Sequence, residues 1–168
     1  MNSRLWNTGS YYGLIAKLLH WLSALLLIIM LGLGFYMTGF FGTRNRLWYT
    51  LHKQLGMCFL GISVLRLLNM LQGTMVRSKM RGQHNLLYVC LLLMPISGWV
   101  MSSASGYAPS LLGVQWFVVA SDQPGLARFA WWAHYFLSIV VSVLIIWHIG
   151  QLLCDYLQGR NRIRRMWA

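Results

Sequence analysis

Acidic side chains are almost absent from this sequence. Its 168 residues include 14 lysines and arginines but only 2 aspartates or glutamates, which gives a formal net charge of +12. A nucleic-acid-binding protein would carry its basic residues on a soluble scaffold, with aromatic residues between them. Here the basic residues lie at the ends of long apolar runs, so we expect no nucleic-acid partner. The positive charge then indicates membrane topology or attraction of an anionic substrate.

Cysteine is also scarce, and its spacing excludes several kinds of site. The chain has 3 cysteines, Cys58, Cys90 and Cys154, each inside an apolar run and none in a CxxC pair. A disulfide framework or a cysteine zinc site would need closer or more regular spacing. We therefore expect all three to be small buried hydrophobic residues.

Charged residues of either sign make up only 10% of the chain, against 58% hydrophobic residues. The mean hydropathy of +0.56 is not that of a soluble domain. A helix needs about 20 apolar residues to cross the hydrocarbon layer of a bilayer, and four segments meet this condition. They lie at about residues 14–40, 51–70, 84–101 and 129–153.

These segments predict an all-α membrane protein, a four-transmembrane-helix bundle that forms one domain over residues 1–168. No segment alternates as a strand would, and only helices or closed barrels satisfy backbone polar groups in lipid. The first run continues past Met30 without a small-residue cleavage site, so we expect it to stay in the membrane. The one long connection, at about residues 102–128, predicts a soluble cap with a small amphipathic piece near residues 111–119.

The basic residues predict the orientation of the bundle. Cytoplasmic connections carry an excess of lysine and arginine. One side of the predicted bundle carries eight basic residues and the other carries three, so we expect both termini and the second connection in the cytoplasm. The eight are Arg4, Arg77, Lys79, Arg81, Arg160, Arg162, Arg164 and Arg165, and the three are Arg44, Arg46 and Arg128.

Four of the five histidines fall inside the predicted spans, where ionisable residues are costly and therefore indicate function. His134 and His148 are 14 residues apart on one helix. At about 100° per residue this spacing turns the helix by about 1400°, close to four full turns, and advances it by about 21 Å. Both side chains therefore point to nearly the same face, one near each membrane surface. The separation is too large for a shared metal ion and suits two stacked cofactors.

Depth in the membrane sorts the four histidines into two pairs. His20 lies near the cytoplasmic side with His148, and His52 lies near the other side with His134. Facing helices of a bundle commonly hold a cofactor between them, and two imidazoles fill both axial positions of a haem iron. No CxxCH occurs, so c-type attachment is excluded. We expect two non-covalent b haems, and a haem-free bundle would leave this pattern as coincidence.

Several segments resemble the bacterial cytochrome b561 family over nearly the whole chain. The order of the segments and the 14-residue histidine spacing make the match specific. The segments are LLHWLSALL (residues 18–26), LHKQLG (51–56), HNLLYVCLLLMPISGW (84–99), WAH (132–134) with a second histidine at 148, and a final RM (165–166). The resemblance implies four helices in the bacterial inner membrane, two b haems, cytoplasmic termini, and His20, His52, His134 and His148 as haem ligands.

The resemblance leaves two activities open, and the sequence identifies no catalytic residue. Some members resemble superoxide oxidases, which pass an electron from external superoxide through the haems to ubiquinone. Others resemble electron-transfer subunits of a periplasmic redox protein. For the first activity, the basic residues Lys53, Arg44, Arg46 and Arg128 would attract the anionic donor.

The expected ubiquinone end contains two further candidates, His84 and Asp155. Members that oxidise superoxide carry a histidine seven residues after the last ligand, where this chain has Asp155. Its carboxylate either relays a proton to a reduced quinone or pairs with Arg160. His84 either contacts the quinone or a haem propionate, or is an ordinary histidine at the start of a helix.

Overall fold

Four long helices account for most of the computed structural model of this protein. It describes residues 5, 7, 12–40, 45–72, 81–111 and 113–160. In chain order the helices are α1, Leu14–Phe35, which continues as a short π-helix over Tyr36–Phe40; α2, Arg46–Gln72; α3, Arg81–Ala104; and α4, Pro124–Leu157. The predicted bundle of four helices is thus confirmed.

All four helices are long and apolar enough to span a membrane, over Leu14–Thr38, Arg46–Leu71, Gly82–Ala104 and Pro124–Leu157. The last three begin three to five residues before the apolar runs that predicted them and end two to four residues after them. The reason is that hydrophobicity marks only the part of a helix inside the hydrocarbon layer, whereas its backbone hydrogen bonds continue into the polar headgroup zone.

Neighbouring helices along the chain pack against each other: α1 against α2, α2 against α3, and α3 against α4. A small core lies between them, formed by Leu27, Phe59, Cys90, Leu91, Val141 and Leu144. Many leucine, isoleucine and valine side chains point outward instead and are exposed, as expected for surfaces that contact lipid. The expectation for cysteine was therefore right for Cys90 and wrong for Cys58 and Cys154, which lie exposed on outward faces.

The long connection between α3 and α4 folds back over the end of the bundle. It contains a two-residue hairpin, with β1 at Ser110–Leu111 paired antiparallel to β2 at Val114–Gln115. Gly113 between the strands has φ +81°, a conformation that favours glycine. The expected amphipathic piece is a short hairpin. Both residues of its second strand, β2, are exposed, so that strand has no buried face.

Hydrogen bonds to residues of α2 and α3 attach this connection to the bundle. Lys53 Nζ donates to the carbonyl of Tyr107 at 3.1 Å, Trp99 Nε1 donates to the carbonyl of Phe117 at 2.9 Å, and the Gln123 amide donates to Ala104 at 3.1 Å. We call this side of the bundle the loop end. The opposite side, where α1 begins and α4 ends, is the termini end.

Seven basic residues used for the orientation lie outside the described residues, and one of them, Arg44, is also a donor-side candidate. The other six are Arg4, Arg77, Lys79, Arg162, Arg164 and Arg165.

Candidate functional site: two groups of histidines

The loop end contains a facing pair of histidines from α2 and α4. The ring centroids of His52 and His134 are 6.3 Å apart, and the ring planes are inclined at 81°. A metal–imidazole bond is about 2 Å long, so two imidazoles on opposite sides of one metal have centroids roughly 6 Å apart. The spacing of this pair therefore suits a single iron atom held between the two rings.

Hydrogen bonds from α3 fix the ring of His134. Its Nδ1 lies 3.0 Å from the carbonyl oxygen of Met94 and 3.0 Å from Ser97 Oγ, while the Ser97 hydroxyl donates to the same carbonyl at 2.7 Å. Because a carbonyl only accepts, Nδ1 carries the proton and Nε2 carries the lone pair. Partners of this kind hold metal-binding histidines in the required tautomer.

Two glycines leave space for these rings. A Cβ atom at Gly98 would lie 3.1 Å from Cε1 and 3.2 Å from Nδ1 of His134, and a Cβ at Gly34 would lie 3.7 Å from Cε1 of His52. The first distance is tighter than ordinary contact, so α3 and α4 approach each other here because residue 98 has no side chain.

At the termini end, the ring in contact with His148 belongs to His84. Their centroids are 5.5 Å apart at an interplanar angle of 61°, which is shorter than the span that one iron between two imidazoles requires. The third ring, His20, lies in electrostatic range of both. This end therefore contains the predicted pair from α1 and α4 and the further candidate His84 from α3, whose ring is the one that contacts His148.

Arg66 holds His20 on its other side. Arg66 Nη2 lies 3.3 Å from His20 Nδ1, and Nη1 donates to Ser23 Oγ at 2.7 Å. The sequence showed no sign of these contacts, because the partners of Arg66 come from a different helix. Ser97 and Met94 were missed for the same reason: nothing in the local pattern links them to His134, 40 residues further along.

Two buried ring nitrogens have no hydrogen-bond partner in the described part of the chain: Nδ1 of His52 and Nδ1 of His148. An unpartnered buried polar atom costs about 1–3 kcal/mol, and in these two rings no described residue satisfies Nδ1. Among the described residues no cluster of three or more His, Cys, Asp or Glu side chains could hold a bare metal ion. Paired imidazoles with glycine beside them fit a flat iron cofactor.

The remaining candidates lie at the two ends of the bundle. Asp155 is buried and its carboxylate pairs with Arg160, with Nε 3.1 Å from Oδ1. At the loop end Arg46 and Arg128 are exposed, while the Lys53 ammonium is engaged with the Tyr107 carbonyl.

A four-helix membrane bundle with histidine groups at both ends belongs to the class of membrane proteins built to hold haem. Comparison with known proteins identifies the family. Residues 11–168 match the family described as prokaryotic cytochrome b561. The chain is also 32% identical to cytochrome b561 homolog 2 of Escherichia coli (strain K12) over 159 residues, covering 84% of this chain and 82% of that protein.

The chain therefore belongs to the prokaryotic cytochrome b561 family. This confirms the resemblance seen in its segments. It also establishes the coarse function: an integral membrane electron carrier of a family that binds b-type haem.

Proposed function

We propose that the protein holds two b haems, one at each end of the bundle, and carries electrons between a donor at the loop end and ubiquinone at the termini end. The loop-end ligands are His52 and His134, and the termini-end ligands are His20 and His148. The observation that carries the proposal is the 6.3 Å spacing of the His52 and His134 rings. A second histidine on α4, His148, lies 14 residues after His134 and places a ring at the termini end. When bound, each haem supplies reversible one-electron chemistry.

The residues of the chain prepare the sites for this task. Met94 and Ser97 keep the lone pair of His134 on Nε2, and Gly98 admits the ring between α3 and α4. Each site would offer two imidazoles to one haem iron, so the residues would favour electron transfer over gas binding.

His84 provides an alternative ligand at the termini end, because its ring contacts that of His148. We prefer His20, because the resemblance of the segments implies it as a ligand and because the 5.5 Å spacing of His84 and His148 is shorter than the 6.3 Å spacing of the loop-end pair. In this assignment His84 lies beside the site, as a contact for ubiquinone or for a haem propionate.

Asp155 is the second candidate on the quinone side. Its place on α4 is seven residues beyond His148, so both lie on nearly the same face of the helix, about 10 Å apart along the axis. Its ion pair with Arg160 gives it a structural role, and proton relay to a reduced quinone would require that pair to open.

Superoxide is the donor that the loop end favours. Arg46 and Arg128 are exposed there, and a positive surface raises the rate of encounter with an anion, more so at low salt. We expect the purified protein to consume superoxide faster in the presence of ubiquinone, and Arg128→Gln to slow this consumption about twofold to fivefold at low salt. Lys17→Gln, a charge change at the termini end, is the matched control, and a rate equal to that without protein excludes this donor.

A periplasmic redox protein is the alternative donor. The loop end presents exposed aromatic side chains, with Tyr107 73% and Phe117 83% exposed, and such residues are typical of protein contacts. A partner that co-purifies with the chain and reduces it favours this role, in which the chain has no substrate of its own. Direct reduction of purified protein by superoxide favours the first.

We expect the chain in the bacterial inner membrane with its termini end toward the cytoplasm, because the basic residues predict this orientation. The loop end would then meet donors in the periplasm, and ubiquinone would be reached from the cytoplasmic half of the bilayer.

Haem content tests the ligand assignment. The purified wild-type protein should contain two haems per chain and show a reduced-minus-oxidised difference spectrum. His148→Ala and His20→Ala should each lower the ratio to about one, whereas His84→Ala should leave it near two. Colourless wild-type protein would refute the whole proposal, and loss of haem in His84→Ala but not in His20→Ala would assign the site to His84 and His148.

A further inference from the structure

Arg66 places a positive charge beside a histidine at the termini end of the bundle. Its guanidinium touches the ring of His20 at 3.3 Å, donates to Ser23 Oγ at 2.7 Å, and lies over Tyr88 with Cζ 5.1 Å from the ring centroid. The Ser23 hydroxyl in turn donates to the backbone carbonyl of His20 at 2.9 Å. Arg66 therefore contacts the ring of His20 directly and is linked to its backbone through Ser23.

Carboxylates that would neutralise this charge are scarce. The chain has only two acidic residues. Asp155 forms an ion pair with Arg160, and Asp122 lies at the loop end, before α4 begins. A charge inside a membrane bundle is weakly screened, so the positive charge of Arg66 acts on His20 with little compensation from the chain itself.

The loop-end ligand His134 has the opposite kind of partner. Its Nδ1 faces the carbonyl oxygen of Met94, an acceptor that raises the basicity of a metal-binding imidazole. The Arg66 guanidinium, a cation, lies 3.3 Å from His20 Nδ1. Because reduction of an iron adds one negative charge, a nearby cation favours the reduced state of an iron bound to that ring.

We propose that Arg66 is a positioning residue that holds His20 and makes the termini-end site the more easily reduced of the two. This rests on the proposed function, in which His20 is a ligand of the termini-end haem. The different partners of His134 and His20 then give the bundle an internal direction, because electrons that enter at the loop end are drawn toward the termini end.

Optical redox titration of the purified, haem-loaded full-length chain tests this. The wild-type protein should show two one-electron transitions, and the transition lost in His52→Ala identifies the loop-end haem. We expect the termini-end transition to have the higher potential. In Arg66→Gln its equilibrium constant for reduction should fall at least tenfold, a shift of about 59 mV to lower potential, while the loop-end transition stays in place.

Arg66→Lys keeps the charge and should keep the termini-end transition near its wild-type potential. Arg128→Gln removes an exposed arginine at the other end and should leave that transition unmoved. If Arg66→Gln loses the termini-end haem altogether, Arg66→Lys decides: retention of haem and potential supports the role of the charge, and equal loss overturns it.

Two sets of results distinguish failure of this proposal from failure of the proposed function on which it rests. A wild-type chain with fewer than two haems, or one whose haem content is unchanged in His20→Ala, refutes the ligand assignment. Two bound haems in Arg66→Gln with neither potential lowered, or with the termini-end potential raised, overturn the role of Arg66 alone.

Discussion

His134 shows how neighbours that are distant in sequence can orient a candidate ligand. The Met94 carbonyl and the Ser97 hydroxyl determine which ring nitrogen carries the proton. Pro95, between them, lacks the N–H that would bond the carbonyl of Leu91 in a regular helix. Gly98, in the next turn of α3, admits the ring. The local sequence pattern does not reveal this arrangement, because it exists only once α3 and α4 pack.

Gly98→Ala should weaken the loop-end haem site. The new methyl group would lie 3.1 Å from Cε1 of His134, so the ring must move away from its present position. We expect haem affinity at that site to fall at least tenfold, about 1.4 kcal/mol, measured by haem retention during dilution. Gly34→Ala is the matched control: its Cβ would lie 3.7 Å from His52, an ordinary contact, and affinity should change less than threefold. Equal effects of the two substitutions would contradict the packing argument.

At the scale of the element, α4 is the helix that relates the two ends of the molecule. Its 34 residues run from the loop end to the termini end and carry His134, His148 and Asp155 on nearly one face. Each of the other helices contributes one histidine: α2 gives His52, α1 gives His20, and α3 gives His84. The partners of His134 also come from α3. The register of α4 therefore sets the relation between the two histidine groups.

One alanine inserted after Val143 should separate the sites. It turns the part of α4 beyond it by about 100°, so His148 leaves the bundle interior while His134 stays in place. We expect the haem-to-protein ratio to fall from two toward one, with the loop-end haem retained. The control is one alanine inserted after Gly150, which leaves the histidine spacing unchanged. Two haems in the Val143 insertion variant would show that the sites do not depend on this register.

At the scale of the whole molecule, the exposed surface is the reverse of that of a soluble protein. Leucines and isoleucines cover the outside of the helices, and the buried set includes serines, Asn69, Gln83 and Asp155. Lipid contact explains the first group, and the second marks the interior of the bundle, where the candidate ligands also lie. An even number of spans brings both ends of the described chain to the same side of the membrane.

Reporter fusions test the orientation. Green fluorescent protein joined after Ala168 should fluoresce in a bacterial host, and alkaline phosphatase inserted after Gly113 should be active, because only the loop end is expected to reach the periplasm. Alkaline phosphatase joined after Ala168 serves as the control and should be inactive. The reverse pattern of activities would invert the assignment of donor and quinone ends.

The sequence by itself determined the membrane bundle and the identity of the candidate ligands. Apolar runs long enough to cross a bilayer must become helices, and fourteen residues of helix return a histidine to the same face; both follow from local geometry. Only the tertiary structure showed that His84 contacts His148, that Arg66 holds His20, and that Met94 orients His134. Each of these contacts joins residues far apart in the chain, and they arise where helix surfaces meet.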